Sequence, residues 1–272
     1  LEDSGYMARV AFIMDRAFRK FGLSGKAFMP LLMCFGCGVP GVIATKTLEN
    51  DKERNLTMLI APFFSCGAKL PIWATFGAIM FAGKFGDLIV FSVYLIGIVV
   101  AIIAALILKK LIYKGETSPF IMELPAYHRP QFKNTMIHLW GKLKHFLFKA
   151  ATIIAGAVII IWFLSNFNFE FWNGMVSIEN SMLAKIGNVI KYVFYPLGFV
   201  FGENGWKFSV AIVTGLIAKE MVIATMGTLS GMSEDPLEME ITADLPIAAM
   251  IASLSPAAAF SFMVFNLLSV PC

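Results

Sequence analysis

Charged side chains are scarce in this sequence. Asp, Glu, Lys and Arg make up 15% of the 272 residues, and 58% are hydrophobic. Soluble domains run at roughly 25% and 45–50%. The shortage of charge excludes an ordinary water-soluble domain, and the mean hydropathy of +0.76 agrees. Cysteine is scarce as well. Cys34, Cys37, Cys66 and Cys272 stand at irregular spacing, which does not fit a secreted disulfide framework. Three histidines exist, His128, His138 and His145. All fall in one basic stretch and read as interfacial residues.

Long uncharged runs fill the rest. Leu88 to Leu108 is 21 residues without a charge, closed by Asp87 and Lys109; that spans a bilayer core of about 30 Å. Ala150 to Phe169 is a second run of 20, and Pro246 to Cys272 a third, interrupted by Pro256. Asn55 to Gly83 carries only Lys69, and Phe208 to Ser233 only Lys219 and Glu220. These runs predict an all-α, multi-pass membrane protein whose first partner is the lipid bilayer. Five or six embedded segments are expected, with one or two re-entrant pieces. The chain begins at Leu1 and stops on Pro271-Cys272 within an apolar run, and reads as part of a longer protein.

The net charge of +4 matters through its placement. Between Lys109 and Lys149 stand eight Lys/Arg and two acids, Glu116 and Glu123. The positive-inside rule puts this segment in the cytoplasm. Its end predicts an interfacial helix, with His138, Lys142, His145 and Lys149 on one face and Leu139, Leu143, Phe146 and Leu147 on the other. That helix would lie at headgroup level before Ala150 enters the membrane. Met232 to Leu245 is acidic, with Glu234, Asp235, Glu238, Glu240 and Asp244; a solvated loop and a cation-collecting vestibule both fit.

Several apparent motifs fail on context. Gly36 to Gly41 matches G-x-G-x-x-G in letters, but no strand precedes it, no acid follows about 20 residues on, and Pro40 sits inside it. Gly22 to Ala27 hints at a P-loop, but its glycines are too close and Ala27 cannot hold magnesium. Cys34-Phe35-Gly36-Cys37 is a lone C-x-x-C, weak support for zinc or redox chemistry. No nucleophile–base pair or cofactor motif survives, so the chain is not expected to be an enzyme, nor to bind nucleic acid.

Two cysteine-bearing segments are broken by glycine and proline inside apolar sequence. One is Pro30-Leu31-Leu32-Met33-Cys34-Phe35-Gly36-Cys37-Gly38-Val39-Pro40; the other is Ala61-Pro62-Phe63-Phe64-Ser65-Cys66-Gly67-Ala68-Lys69-Leu70-Pro71. Helix breakers at membrane depth are tolerated where the freed backbone is buried in protein or lines a cavity, and discontinuous helices point to a transporter's substrate site. Thiols there suit a transition metal better than a sugar or amino acid. A small buried hydrophobe is the plainer role for cysteine, and Met29 and Met33 read as thioether ligands or, more simply, as packing. Lys69, Lys219 and Glu220 are intramembrane charges, each costing about 2.5–3.5 kcal/mol at the bilayer centre. Two readings stay open for Glu220: a structural or snorkelling role, and a carboxylate facing a permeation path. A faint repeat, Val42-Ile43-Ala44-Thr45 and Val222-Ile223-Ala224-Thr225, suggests two related halves.

With these motifs in order, the chain resembles the membrane domain of the ferrous iron transporter family FeoB. The resemblance rests on Leu1-Glu2-Asp3-Ser4-Gly5-Tyr6-Met7-Ala8-Arg9, both broken segments, Ser118-Pro119-Phe120-Ile121-Met122-Glu123-Leu124-Pro125, Gly215-Leu216-Ile217-Ala218-Lys219-Glu220 and Val270-Pro271-Cys272. It implies two Gate repeats of nucleoside-transporter-like architecture with interrupted, re-entrant helices. The implied divisions are a first Gate region at 1–108, a basic cytoplasmic connector at 109–149, a core membrane helix and periplasmic-side segment at 150–206, and a second Gate region at 207–272. It implies Fe²⁺ as substrate, a multi-pass location in the bacterial inner membrane, and a cytoplasmic GTPase domain, with GTP and Mg²⁺, elsewhere in the full-length protein. A small FeoA-like protein and a homo-oligomer are the other implied partners.

Carried over by position, the implied metal residues are Cys37, Cys66, Glu220 and Cys272, with Cys34, Met33 and Ser65 as lesser candidates. Gly38 departs from the family pattern, where a polar residue is common, and Cys34 stands where a small residue is usual. The expected mechanism passes Fe²⁺ between the two Gate repeats, on ligands weak enough to release it. Competing readings are a Gate-fold transporter of an organic solute such as a nucleoside, and a thiol-based membrane redox sensor without flux.

Overall fold

In the computed structural model the described residues are 5–81, 84–112, 132–167, 181–200, 202, 204–231 and 246–269. Their regular structure is helical: α1 Tyr6–Phe18, α2 Phe28–Gly36, α3 Gly38–Ala44, α4 Asp51–Ile60, α5 Leu70–Met80, α6 Lys84–Leu111, α7 Phe132–Asn166, α8 Met182–Phe194, α9 Gly205–Gly215, α10 Met221–Leu229, α11 Pro246–Ala252 and α12 Pro256–Leu268. The chain folds into two spatial units interleaved in sequence. One takes Leu1–Gly67 and Tyr94–Leu147, the other Ala68–Val93 and Phe148–Val270.

Three stretches among the described residues are long and apolar enough to cross a membrane: Asp51–Met80, Phe85–Leu111 and Thr135–Asn166. A fourth is reached if α11 and α12, bent by 106° at their break, count as one span. Elsewhere in the described apolar sequence, breakers leave helices of seven to eleven residues, too short to span at 1.5 Å per residue.

The interfacial helix expected before Ala150 is also corrected. Phe132 to Asn166 is one continuous helix, with no corner at Ala150. Gly141 and Gly156 are its two glycines, no proline falls within it, and a lone glycine is tolerated inside a helix. The acidic stretch 232–245 and the Ser118–Pro125 motif lie outside the described residues.

In the first unit, Leu23, Ala27, Leu31, Leu48, Leu56, Ile60 and Ala105 form the core, flanked by Phe18, Phe21, Phe63 and Phe64. One end of this unit is polar. The buried Asp15 carboxylate accepts from the Gly25 N–H (2.9 Å) and from Arg19 Nε. Lys26 pairs with Glu49 at 2.9 Å, and Glu53 accepts from the Ser24 N–H. Lys26 holds the Glu49 carboxyl below the usual carboxylate range, chiefly through this hydrogen bond. Lys109, at the end of α6, donates to the Arg19 and Lys20 carbonyls (3.3 Å each). Gly22, at φ 84°, lies directly under the Lys109 stem, a backbone conformation that favours glycine.

In the second unit, Phe262 on α12 is the hub. Its ring stacks on Phe76 (4.9 Å) and meets Phe199 (5.3 Å) and Phe208 (5.7 Å) edge-on. These geometries are the favourable ones for aromatic pairs. A second cluster joins Leu183, Ala184, Trp206, Val210 and Leu229, and Gly187 lets α8 approach Trp206 and Val210 on α9.

α2 and α3 fold back on each other, and Gly41 makes this possible. A Cβ there would collide with Cys34 Sγ and stand 3.0 Å from both the Cys34 nitrogen and the Pro30 carbonyl oxygen. Gly41→Ala should therefore overpack the hairpin, at a cost on the order of 1–3 kcal/mol. The midpoint of thermal unfolding of the detergent-solubilised full-length protein should fall, and adding Cys34→Ala should recover only part of the loss, because the backbone contacts remain.

Candidate functional site

The first broken segment and the Ala61–Gly67 part of the second meet in the first unit. α2 enters from the polar end and ends after nine residues, about 13 Å of rise. α3 returns toward the same end, where Lys26 and Glu49 join the hairpin's two arms. Cys37 sits at the tip, extended at φ −147°, ψ 126°, and serves both as the last cap of α2 and the first of α3. α4 starts at the polar end with Asn50 as N-cap, its side chain accepting from the Lys52 N–H (2.9 Å), and with Asp51 and Glu53 in its first turn. These acids suit the positive end of the helix dipole. α4 runs ten residues, about 15 Å, before the chain breaks at Ala61–Cys66. Each of these helices is about half as long as a bilayer core of about 30 Å is thick. The two tips touch: a Cβ on Gly67 would stand 3.7 Å from the Gly36 carbonyl oxygen.

The thiols differ in access. Cys37 is exposed, Cys66 half-buried and Cys34 fully buried. Cys34 packs against Gly41. Ser65 is buried beside Cys66, and Met33 is exposed on α2. The tip aromatics support the arrangement: Phe35 contacts Phe64 edge-on (5.1 Å) and stacks on Tyr94 (5.9 Å).

Glu220 belongs to the second unit. α9 and α10 pack as another hairpin, with Leu216–Glu220 as its non-helical tip. Gly215 lets Val222 approach, and the buried Thr214 and Thr225 hydroxyls pair across the hairpin at 3.1 Å. Lys219 turns inward, 2% exposed, while Glu220 is exposed. The two neighbours thus differ in burial within one turn. Among the described residues no three of His, Cys, Asp and Glu stand together as a ready metal-holding group. Cys272 lies outside the described residues.

The faint sequence repeat acquires a structural counterpart. Val42–Ala44 lie in α3 and Val222–Ala224 in α10, each the second arm of a hairpin whose tip interrupts apolar sequence. Each hairpin is followed by a broken helix pair, with Pro71 and Pro256 opening the later helix. Gly41 was not singled out from the sequence; its place next to Pro40, four residues past Cys37, was the available sign that α3 must approach α2 closely.

These geometries predict an order of alkylation. With a membrane-permeant maleimide and mass mapping on the reduced full-length protein, Cys37 should label fastest, Cys66 more slowly and Cys34 only after unfolding. Labelling of Cys34 at the Cys37 rate would refute the packing described.

Comparison with known proteins follows the same lines. The family model described as "Nucleoside recognition", Gate, matches residues 1–80 and 147–272. The model described as "Ferrous iron transport protein B C terminus" matches 90–142. The chain is 47% identical over 231 residues to the Fe(2+) transporter FeoB of Salmonella typhimurium LT2 and, equally, to that of Escherichia coli K12. The match covers 84% of this chain and 29% of each relative, so the chain spans less than a third of the length of these curated relatives. No solved structure matches it. With Gate sequence on both sides of a ferrous iron transport protein B segment, the chain belongs to the FeoB family, as part of its helical membrane region.

Proposed function

We propose that this chain is the permeation part of a GTP-dependent importer of Fe²⁺ in the bacterial inner membrane. The observation that carries the reading is the exposed Cys37 at the tip between α2 and α3, in touch with the segment that holds the half-buried Cys66. Fe²⁺ is the substrate. Cys37 and Cys66 supply sulfur, Glu220 a carboxylate and Cys272 a further thiol along the route; Cys34 packs the hairpin, and Met33 and Ser65 border the tips. A mixed set of sulfur and oxygen ligands holds a borderline cation without trapping it, as conduction requires. The Gate repeats give alternating access by moving against each other.

In this reading GTP hydrolysis, with its Mg²⁺, belongs to a cytoplasmic domain elsewhere in the full-length protein, and the chain itself is not an enzyme. Nucleotide shifts the transport equilibrium by its differential affinity for the two states. The basic connector 109–149, on the cytoplasmic side, is the docking surface for that domain, and a small FeoA-like protein and a second copy are further partners. The description of the Gate model as nucleoside recognition keeps an organic solute as the second reading. Such a solute needs stacking and amide contacts, and its transport would not respond to replacing thiols.

Anaerobic Fe²⁺ uptake by the full-length protein, in cells lacking other ferrous importers, tests the reading. Cys37→Ser and Cys66→Ser should each lower uptake by about tenfold or more at equal expression, and Glu220→Gln by a similar factor. Uptake near wild-type levels in both thiol variants would remove sulfur from the route; uptake of nucleoside but not iron would select the second reading. Neutralising Lys133, Lys142, Lys144 and Lys149 together should weaken nucleotide-coupled uptake while leaving Fe²⁺ binding intact, and lost binding would refute the docking assignment.

A further inference from the structure

Two lysines are among the most buried polar residues of the second unit: Lys69 is 3% exposed and Lys219 2%. They come from different Gate repeats. Lys69 ends the turn before α5, and Lys219 stands in the tip between α9 and α10. Both end on the same place. Lys69 Nζ donates to the Leu267 carbonyl oxygen at 2.8 Å. Lys219 Nζ donates to Ser269 Oγ, which donates in turn to the Asn266 carbonyl at 3.2 Å. Leu267 and Asn266 are buried. The last turn of α12 is therefore met by two ammonium groups.

The match is chemical. The last carbonyls of a helix lack partners within it and carry the negative end of its dipole. A buried ammonium has three donors and no acceptor, so it needs such oxygens. α12 is also held elsewhere. Ser255 caps its start, accepting from the Ala258 N–H at 3.2 Å, and Phe262 anchors its middle against Phe76, Phe199 and Phe208. α12 is thus a fixed rail, and its C-terminal end is where both repeats fasten.

The consequence falls on Glu220. The tip is a series of tight turns: the Ile217 N–H donates to the Thr214 carbonyl (3.0 Å), that of Met221 to Ala218 (3.0 Å) and that of Val222 to Lys219 (3.2 Å). With Lys219 drawn inward, the neighbouring side chain is turned out. We propose that Lys219 and Lys69 are positioning residues of the metal route: Lys219, hooked to α12 through Ser269, sets the direction of the Glu220 carboxylate, and Lys69 ties α5 of the first repeat to the same end. This rests on the reading of Glu220 as a ligand for Fe²⁺. The lysines touch no substrate; they act through the backbone between them and the ligand.

The test uses the full-length protein and the Fe²⁺ concentration dependence of anaerobic uptake, alongside membrane abundance. Lys219→Met should raise the half-saturating Fe²⁺ concentration by about tenfold, with the maximal rate per transporter within about twofold. Ser269→Ala, which removes the hydroxyl that accepts from Lys219 and donates to Asn266, should shift it in the same direction by less. Lys219→Met combined with Glu220→Gln should be no worse than Glu220→Gln alone. A fall in maximal rate that tracks abundance, at unchanged half-saturation, would reduce Lys219 to a structural residue and overturn the proposal. A readout independent of iron uses Glu220→Cys, with maleimide labelling mapped at that position. Labelling should slow severalfold when Lys219→Met is added; an unchanged rate overturns the positioning role. If labelling slows while Glu220→Gln transports normally, the positioning role stands and the ligand reading of Glu220 fails.

Discussion

Inside a bilayer no water is at hand to satisfy an open backbone N–H or carbonyl, so a broken helix must find its partners within the protein. The rest of this structure follows from that constraint. At the first tip, the Cys37 N–H returns to the Met33 carbonyl and the Gly41 N–H to the Cys37 carbonyl, so the chain reverses with little open backbone. At the second, short turns from Thr214 to Val222 do the same. At the end of α12, Lys69 donates to the Leu267 carbonyl, and the Ser269 hydroxyl, which accepts from Lys219, donates to that of Asn266. Breaks satisfied in this way can expose a side chain at depth without exposing the backbone, which is what a permeation route for a small cation needs.

Lipid tails are as apolar as leucine, so burial alone does not press membrane helices together; close packing and hydrogen bonds do. The glycines sit where this demands it. Gly41 admits Cys34 against its backbone, Gly215 admits Val222, and Gly77 and Gly86 bring α5 and the start of α6 within backbone contact. The Phe262 hub supplies complementary surface in the second unit. The long α7, by contrast, has its apolar residues largely exposed, as suits a helix facing lipid or a neighbour.

Much of the architecture was legible because its signals are local. Apolar runs closed by charge marked α6 and the membrane half of α7, and glycine with proline marked both thiol-bearing breaks. The faint Val-Ile-Ala-Thr repeat, read as a sign of two related halves, falls on the returning arms of two hairpins. The reading failed where local signals mislead. An amphipathic stretch before Ala150 suggested a corner, yet nothing in Phe132–Asn166 breaks the helix, and the polar face continues into the apolar one as a single rod.

The sequence by itself determined the medium, the helical class, the places where helices must break and the kinds of atom at those breaks, because composition and breaker residues act over one or two turns. Only the tertiary structure decided which thiol is reachable. Cys34 and Cys37 are three residues apart and identical in chemistry, but the fold-back of α3 onto α2 seals one and leaves the other at the tip. It also decided the partners of Lys69 and Lys219. Their acceptors lie 198 and 50 residues away in the chain, and no local pattern encodes a meeting at the end of a helix formed so much later.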